Sequence, residues 1–203
     1  MKKRLIMGYR IGIFLAIVFG CIVLCVRAEA MLMGLTPAQV EEAIQLGKAG
    51  KRADMAEFSR EWVVSLGEKV GWATLYSEFH DLAYRARKAA MENRELSQSE
   101  ISKVLSERDV ITFTTTILTD YMYYNYHRPS TLSVGDDVRA ASYEFMPQMC
   151  EDSTFFPESP YYIAACVYKF PSEGIRPDSK ITLSVIKPSG DVLDFEFDLS
   201  KIR

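Results

Sequence analysis

The chain reads as an α+β protein, with N-terminal helices packed on a C-terminal antiparallel sheet and a reduced β-sandwich as the closed form of that sheet. Three observations carry this. Helical spacing and two capping boxes fill the stretch from Thr36 to Arg108. From Asp109 the apolar period falls to two, and β-branched and aromatic residues become dense, as strands require. The change happens once, whereas a parallel sheet needs helices and strands to alternate. The expected organisation is a leader over residues 1–30, a helical region over 31–108 and a β-rich region over 109–203.

The leader opens Met1-Lys2-Lys3-Arg4, continues as an apolar run from Ile11 to Val26 and closes on Ala28-Glu29-Ala30. A basic start, a hydrophobic stretch and small residues two apart mark a secretory signal peptide. The run has 16 residues, bounded by Arg10 and Arg27. A secretory core usually has about 7–15 and a spanning helix about 18 or more, so the length falls between them. A cleaved signal is the first reading, and an uncleaved inner-membrane anchor through residues 11–26 is the alternative. Val18-Phe19-Gly20-Cys21 resembles a lipidation box at Cys21, but Phe19 is bulky for it and apolar residues continue past the cysteine. Every version keeps the basic residues inside and places Met31 onward outside the cytoplasm, periplasmic or secreted.

Thr36-Pro37-Ala38-Gln39 combines a capping hydroxyl, a first-turn proline and a Gln that reaches back, so a helix starts there and runs to about Gly50. Ala53 to Leu66 leaves two options: Phe58, Trp62 and Leu66 fit a helix, while Trp62-Val63-Val64 fits a strand. A third helix is expected from Thr74, with Leu75, Phe79, Leu82, Ala86 and Ala90 as its apolar seam. Ser97-Gln98-Ser99-Glu100 is a second capping box ahead of a short helix ending near Arg108.

Ile111, Phe113, Thr115 and Ile117 share one face of the first strand, and further strands are expected near 138–145, 162–170, 180–187 and 191–198. The last hairpin is readable pair by pair. With Pro188-Ser189-Gly190 as a three-residue loop and Gly190 left-handed, Val185 meets Leu193, Leu183 meets Phe195 and Ile181 meets Phe197. A two-residue loop would set Val185 against Asp194, so burial and turn select the same register.

Residues 1 to 30 hold five of the 24 basic and one of the 27 acidic residues, which leaves 19 against 26 and a net charge of −7 beyond the leader. An acidic chain without a basic stripe argues against a nucleic-acid partner. Cys150 and Cys166 have 15 residues between them and fall in a compartment expected to oxidise thiols, so a disulfide is expected.

Candidate chemistry is sparse. Asp191, Asp194, Glu196 and Asp198 suggest a cation site, but they alternate with Leu193, Phe195, Phe197 and Leu199 and read as the wet face of a strand. His80 and His127 lack the partners a zinc site needs, so no metal and no cofactor is expected. No Gly-x-Ser-x-Gly, phosphate-binding glycine loop or Cys-x-x-Cys occurs beyond the leader, although triads assembled from distant residues leave no such motif. Tyr121, Tyr123, Tyr124 and Tyr126 fall within six positions, too many to bury on one face. Accessible tyrosine rings suit ligand or protein contacts, and the competing reading has some rings packed and others at the rim.

Gly71-Trp72-Ala73-Thr74, Asp109-Val110-Ile111-Thr112-Phe113, Ile181-Thr182-Leu183 and the closing Asp198-Leu199-Ser200-Lys201-Ile202-Arg203 resemble a set of uncharacterised, predicted exported bacterial proteins. That resemblance implies an exported location and a helical half joined to a β half, and it carries no assigned activity. The function expected is that of a non-catalytic extracytoplasmic envelope protein, a protein-interaction module. An extracytoplasmic hydrolase with dispersed catalytic residues and a small-ligand or glycan binder are the alternatives.

Overall fold

The computed structural model describes residues 34–107, 109–124 and 129–203. The leader with Cys21, the candidate span 11–26, Tyr126 and His127 lie outside them. Helix α1 (Pro37–Ala49) begins at its capping box: Gln39 N donates to Thr36 Oγ1 at 3.4 Å, and Thr36 N donates to Gln39 Oε1 at 2.8 Å. The stretch left open between helix and strand is both in succession. It forms the one-turn α2 (Met55–Phe58), a 3-10 turn at Arg60–Trp62, and then β1 (Val63–Gly67).

The helix expected from Thr74 starts later. Gly71–Tyr76 is strand β2, paired with β1 on one side and on the other with β3 (Val110–Thr119), and Ser77 caps α3 (Glu78–Met91) by accepting His80 N at 3.1 Å. Leu75 lies four residues before Phe79, so helical spacing alone could not separate it from the seam. Strand pairing decides the matter. The buried side of α3 is also broader than the expected seam, taking in His80, Ala83 and Ala89. Helix α4 (Gln98–Ser106) has the second capping box, in which the Ser97 amide, the Ser97 hydroxyl and Arg94 hold the Glu100 carboxyl down to about 2.

The remaining strands are β4 (Thr131–Val134), β5 (Asp137–Ala140), β6 (Tyr143–Phe145), β7 (Glu151–Asp152), β8 (Tyr162–Pro171), β9 (Lys180–Ile186) and β10 (Val192–Asp198). They complete two open antiparallel sheets. One runs β1-β2-β3-β8-β6, with β7 also on β8, and the other runs β10-β9-β4-β5. The single strand expected over 138–145 is divided between them, since β5 belongs to the smaller sheet and β6 to the larger. The chain crosses over at Ala141 and Ser142, whose amides donate to Ser130 O and Lys169 O. The hairpin pairs as read: Val185 with Leu193, Leu183 with Phe195, Ile181 with Phe197. Gly190 has φ +95° and donates its amide to Lys187 O.

The α+β class with an antiparallel sheet and a sandwich-like arrangement is therefore the observed one. Ile111, Phe113, Thr115 and Ile117 of β3 and Ala164, Cys166, Tyr168 and Phe170 of β8 are buried on one face of the larger sheet. Against them lie Ile181, Leu183, Phe195 and Phe197 of the smaller sheet, with Phe113 and Phe197 rings 5.3 Å apart. The helices join the same core through Ala43, Phe79, Leu82 and Ala83. Among the described residues no helix is long and apolar enough to cross a membrane.

Candidate functional site on the open sheet face

Residues directly opposite each other in an antiparallel pair point to the same side. Opposite the core, the larger sheet therefore presents Trp72, Thr74 and Tyr76 of β2, then Thr116, Thr114 and Thr112 of β3, then Ala165, Val167 and Lys169 of β8. Phe145 and Tyr143 of β6 continue the rows, opposite Val167 and Lys169. Among the described residues no second sheet covers this side. Trp72 is 36% exposed, and Tyr143 and Phe145 are about half exposed, at 51% and 50%. Three large rings are thus held in water on one rigid surface, interleaved with threonine hydroxyls.

Two cavities open onto this face. The larger, of about 700 Å³, lies between α2 and the β1–β2 hairpin, with Met55, Ser59, Arg60, Val63, Trp72 and Thr74 among its walls. The other, of about 410 Å³, lies where α3 and α4 approach Thr112, Thr114 and Lys169. Tyr76 lines both. Charge at the second cavity is balanced locally: Arg85 pairs with Asp81 at 2.8 Å and Lys169 with Glu107 at 3.0 Å.

Behind Tyr76 lies an aromatic stack centred on His80. This side chain is fully buried, with Trp62 at 4.3 Å and Tyr76 at 4.7 Å between ring centroids. Burial pushes its imidazole down to about 4, against the opposing effect of the Leu75 carbonyl. Ser59 Oγ lies 3.2 Å from His80 Nε2. Sequence reading singled out neither Ser59 nor Trp72. The available signal was the two-residue alternation in Gly71-Trp72-Ala73-Thr74-Leu75-Tyr76, which places Trp72, Thr74 and Tyr76 on one side.

The tyrosine segment divides. Tyr121 and Tyr123 are exposed, Tyr124 is buried, and Tyr126 is outside the described residues. Residues 122–124 run antiparallel to 148–150: Cys150 N donates to Met122 O at 2.7 Å and Tyr124 N to Gln148 O at 3.3 Å. Alternation along this ribbon sends Tyr124 inward beside Cys150 and Cys166, where burial raises its phenol above the ordinary range. Cys150 and Cys166 are both buried free thiols, so the expected bridge is absent from this structure. Burial pushes the Cys166 thiol up to about 11, and Cys150 is near enough to add to that shift. Asp194 and Glu196 face water, and Asp191 and Asp198 pair with Lys187 and Lys201. Among the described residues no group of three or more His, Cys, Asp or Glu side chains is placed to hold a metal ion.

No family model and no curated protein matches the chain. Among solved structures it is similar to a protein of unknown function from Burkholderia pseudomallei, at 12% identity and a TM-score of 0.45, over 82% of this chain and 94% of that one.

Proposed function

We propose that the chain is an extracytoplasmic binding protein of the cell envelope, and that it holds a partner protein on the open face of its larger sheet. The observation that supports this is the placement of Trp72, Tyr143 and Phe145 in water on a face built from paired strands. Large rings on a rigid support lose little freedom on contact and give much apolar area, which is why aromatic residues anchor interfaces. The partner this face fits is an envelope protein offering an apolar patch with hydrogen-bonding groups for the threonine ladder. Export follows from the leader, with release or retention through residues 11–26 decided by whether the signal is cleaved.

A photo-crosslinking residue placed at Trp72, at Phe145 and at Asp194 tests the proposal in intact cells. Asp194 is exposed on the far side of the molecule, on the smaller sheet. Discrete adducts at the first two positions and none at Asp194 support the reading. Adducts at Asp194 alone, or at no position, reject it.

The cavity of about 700 Å³ favours a second reading, a small ligand or glycan stacked on Trp72. A soluble ligand that raises the melting temperature and changes tryptophan fluorescence in the wild type but not in Trp72→Ala would establish it.

A further inference from the structure

One wall of the larger cavity holds a serine backed by a buried histidine, and partner binding uses neither. Ser59 lines the cavity, and its Oγ is 3.2 Å from His80 Nε2. The other ring nitrogen, Nδ1, is buried and has no hydrogen-bond partner among the described residues. In the tautomer that carries its proton on Nδ1, Nε2 keeps its lone pair for the Ser59 hydroxyl. Trp62 stacks on the ring at an interplanar angle of 17°, and Tyr76 packs against it, so its orientation is set before any substrate arrives. Burial keeps the ring neutral at pH 7. A serine within hydrogen-bond reach of a neutral imidazole held in place by packed rings pairs a nucleophile with its base.

The cavity provides room for a substrate beside that serine. Met55, Ala56, Val63 and Trp72 form apolar walls, and Arg60 adds a cation. As a packing device alone the pair has little to recommend it, since a net hydrogen bond contributes only about 1 kcal/mol to stability. We propose that Ser59 and His80 form a nucleophilic dyad that hydrolyses carboxylic esters carrying an apolar acyl group in the cavity beside Trp72.

The chemistry balances with water as the only co-reactant. Ser59 Oγ bonds to the ester carbonyl carbon while its proton passes to His80 Nε2. The bond from that carbon to the alcohol oxygen breaks, and the alcohol leaves with the proton. Water then attacks the acyl-serine through the same imidazole, which returns a proton to Ser59 Oγ and releases the carboxylic acid. The activity goes beyond partner binding and is independent of it.

The full chain, purified in mild detergent, is treated with a fluorophosphonate and assayed with p-nitrophenyl butyrate. One phosphonyl group on the peptide containing Ser59, with ester turnover, is the expected result. Ser59→Ala and His80→Gln then lower turnover by about a hundredfold or more, whereas Ser189→Ala, in the exposed loop between β9 and β10 and outside this cavity, keeps both signals. A folded wild type that takes no phosphonyl group and turns over no ester overturns the proposal, as does undiminished turnover in a folded Ser59→Ala. Crosslinking at Trp72 is read separately, so failure of the dyad leaves the binding proposal standing.

Discussion

The indole Nε1–H of Trp62 donates to the backbone carbonyl of Arg203 at 2.8 Å, across 141 positions of sequence. Ser77 Oγ donates to the same oxygen at 2.8 Å, and the Arg203 guanidinium bonds both carboxylate oxygens of Glu61 and lies over the Phe79 ring. The segment after β10 is thereby tied to the turn before β1 and to the start of α3. Trp62→Phe keeps most of the buried ring and removes one donor, leaving the carbonyl satisfied by Ser77. A loss of about 1 kcal/mol is expected. Trp62→Ala empties the site beneath His80 and costs about 3–5 kcal/mol. Urea denaturation of the two variants measures the difference.

Gly47 lies where α1 packs tightly against α3. A Cβ there would lie 2.2 Å from Ala83 O and 2.8 Å from Ala86 Cβ, distances that require the helices to separate. In an exposed helix Gly→Ala gains about 1 kcal/mol from propensity, but overpacking at a tight contact costs about 1–3 kcal/mol. Because the obstacle is backbone, the cost prevails. Gly47→Ala is expected to lower the melting temperature, and a rise would show that the two helices shift freely.

His80 gives the fold a pH dependence with a definite sign. Its imidazole is lowered from 6.5 to about 4 by burial, so between those values the unfolded chain binds a proton that the folded chain refuses. Stability from this group is complete above about pH 6.5, falls as pH drops through the window and levels off below about 4. By pH 5 the loss is roughly 2 kcal/mol. Urea midpoints at pH 7 and pH 5 should differ by that amount in the wild type and by much less in His80→Gln.

The proposed Cys150–Cys166 bridge is testable on exported material. Position 150 continues the β7 register opposite Ala164, so the two thiols stand diagonally on neighbouring strands of the core face. Exchange with an oxidised thiol pair of the compartment would join them and reduce that pair. Non-reduced protein is then expected to be about 2 Da lighter than reduced protein, with roughly 3 kcal/mol of added stability from closing the loop. Equal masses would leave two buried thiols, as this structure has them.

Much of the β half was legible because local chemistry and burial agreed there. In β9 and β10 every apolar residue meets an apolar partner only in the three-residue-loop register, and Gly190 suits that loop. The caps at Thr36 and Ser97 were legible for a similar reason, since their hydrogen bonds close within four residues. The start of α3 was not. Leu75 satisfies a helical seam and an inward strand position equally well, and only pairing with Phe113 assigns it to β2. The tyrosine run announced that some rings must be accessible, but which ones depended on the ribbon with residues 148–150.

By itself, then, the sequence determined the class, the caps, the final hairpin and the acidic character of the chain beyond residue 30, because each follows from neighbours within one element or from composition. Tertiary structure alone decided that β2 belongs to the larger sheet, which side of that sheet stays open, and that Ser59 meets His80. Those depend on contacts between segments 21 or more residues apart, as Ser59 and His80 are. Local periodicity carries no information about such distances, since it reports which side of an element is apolar and not which other element will cover it.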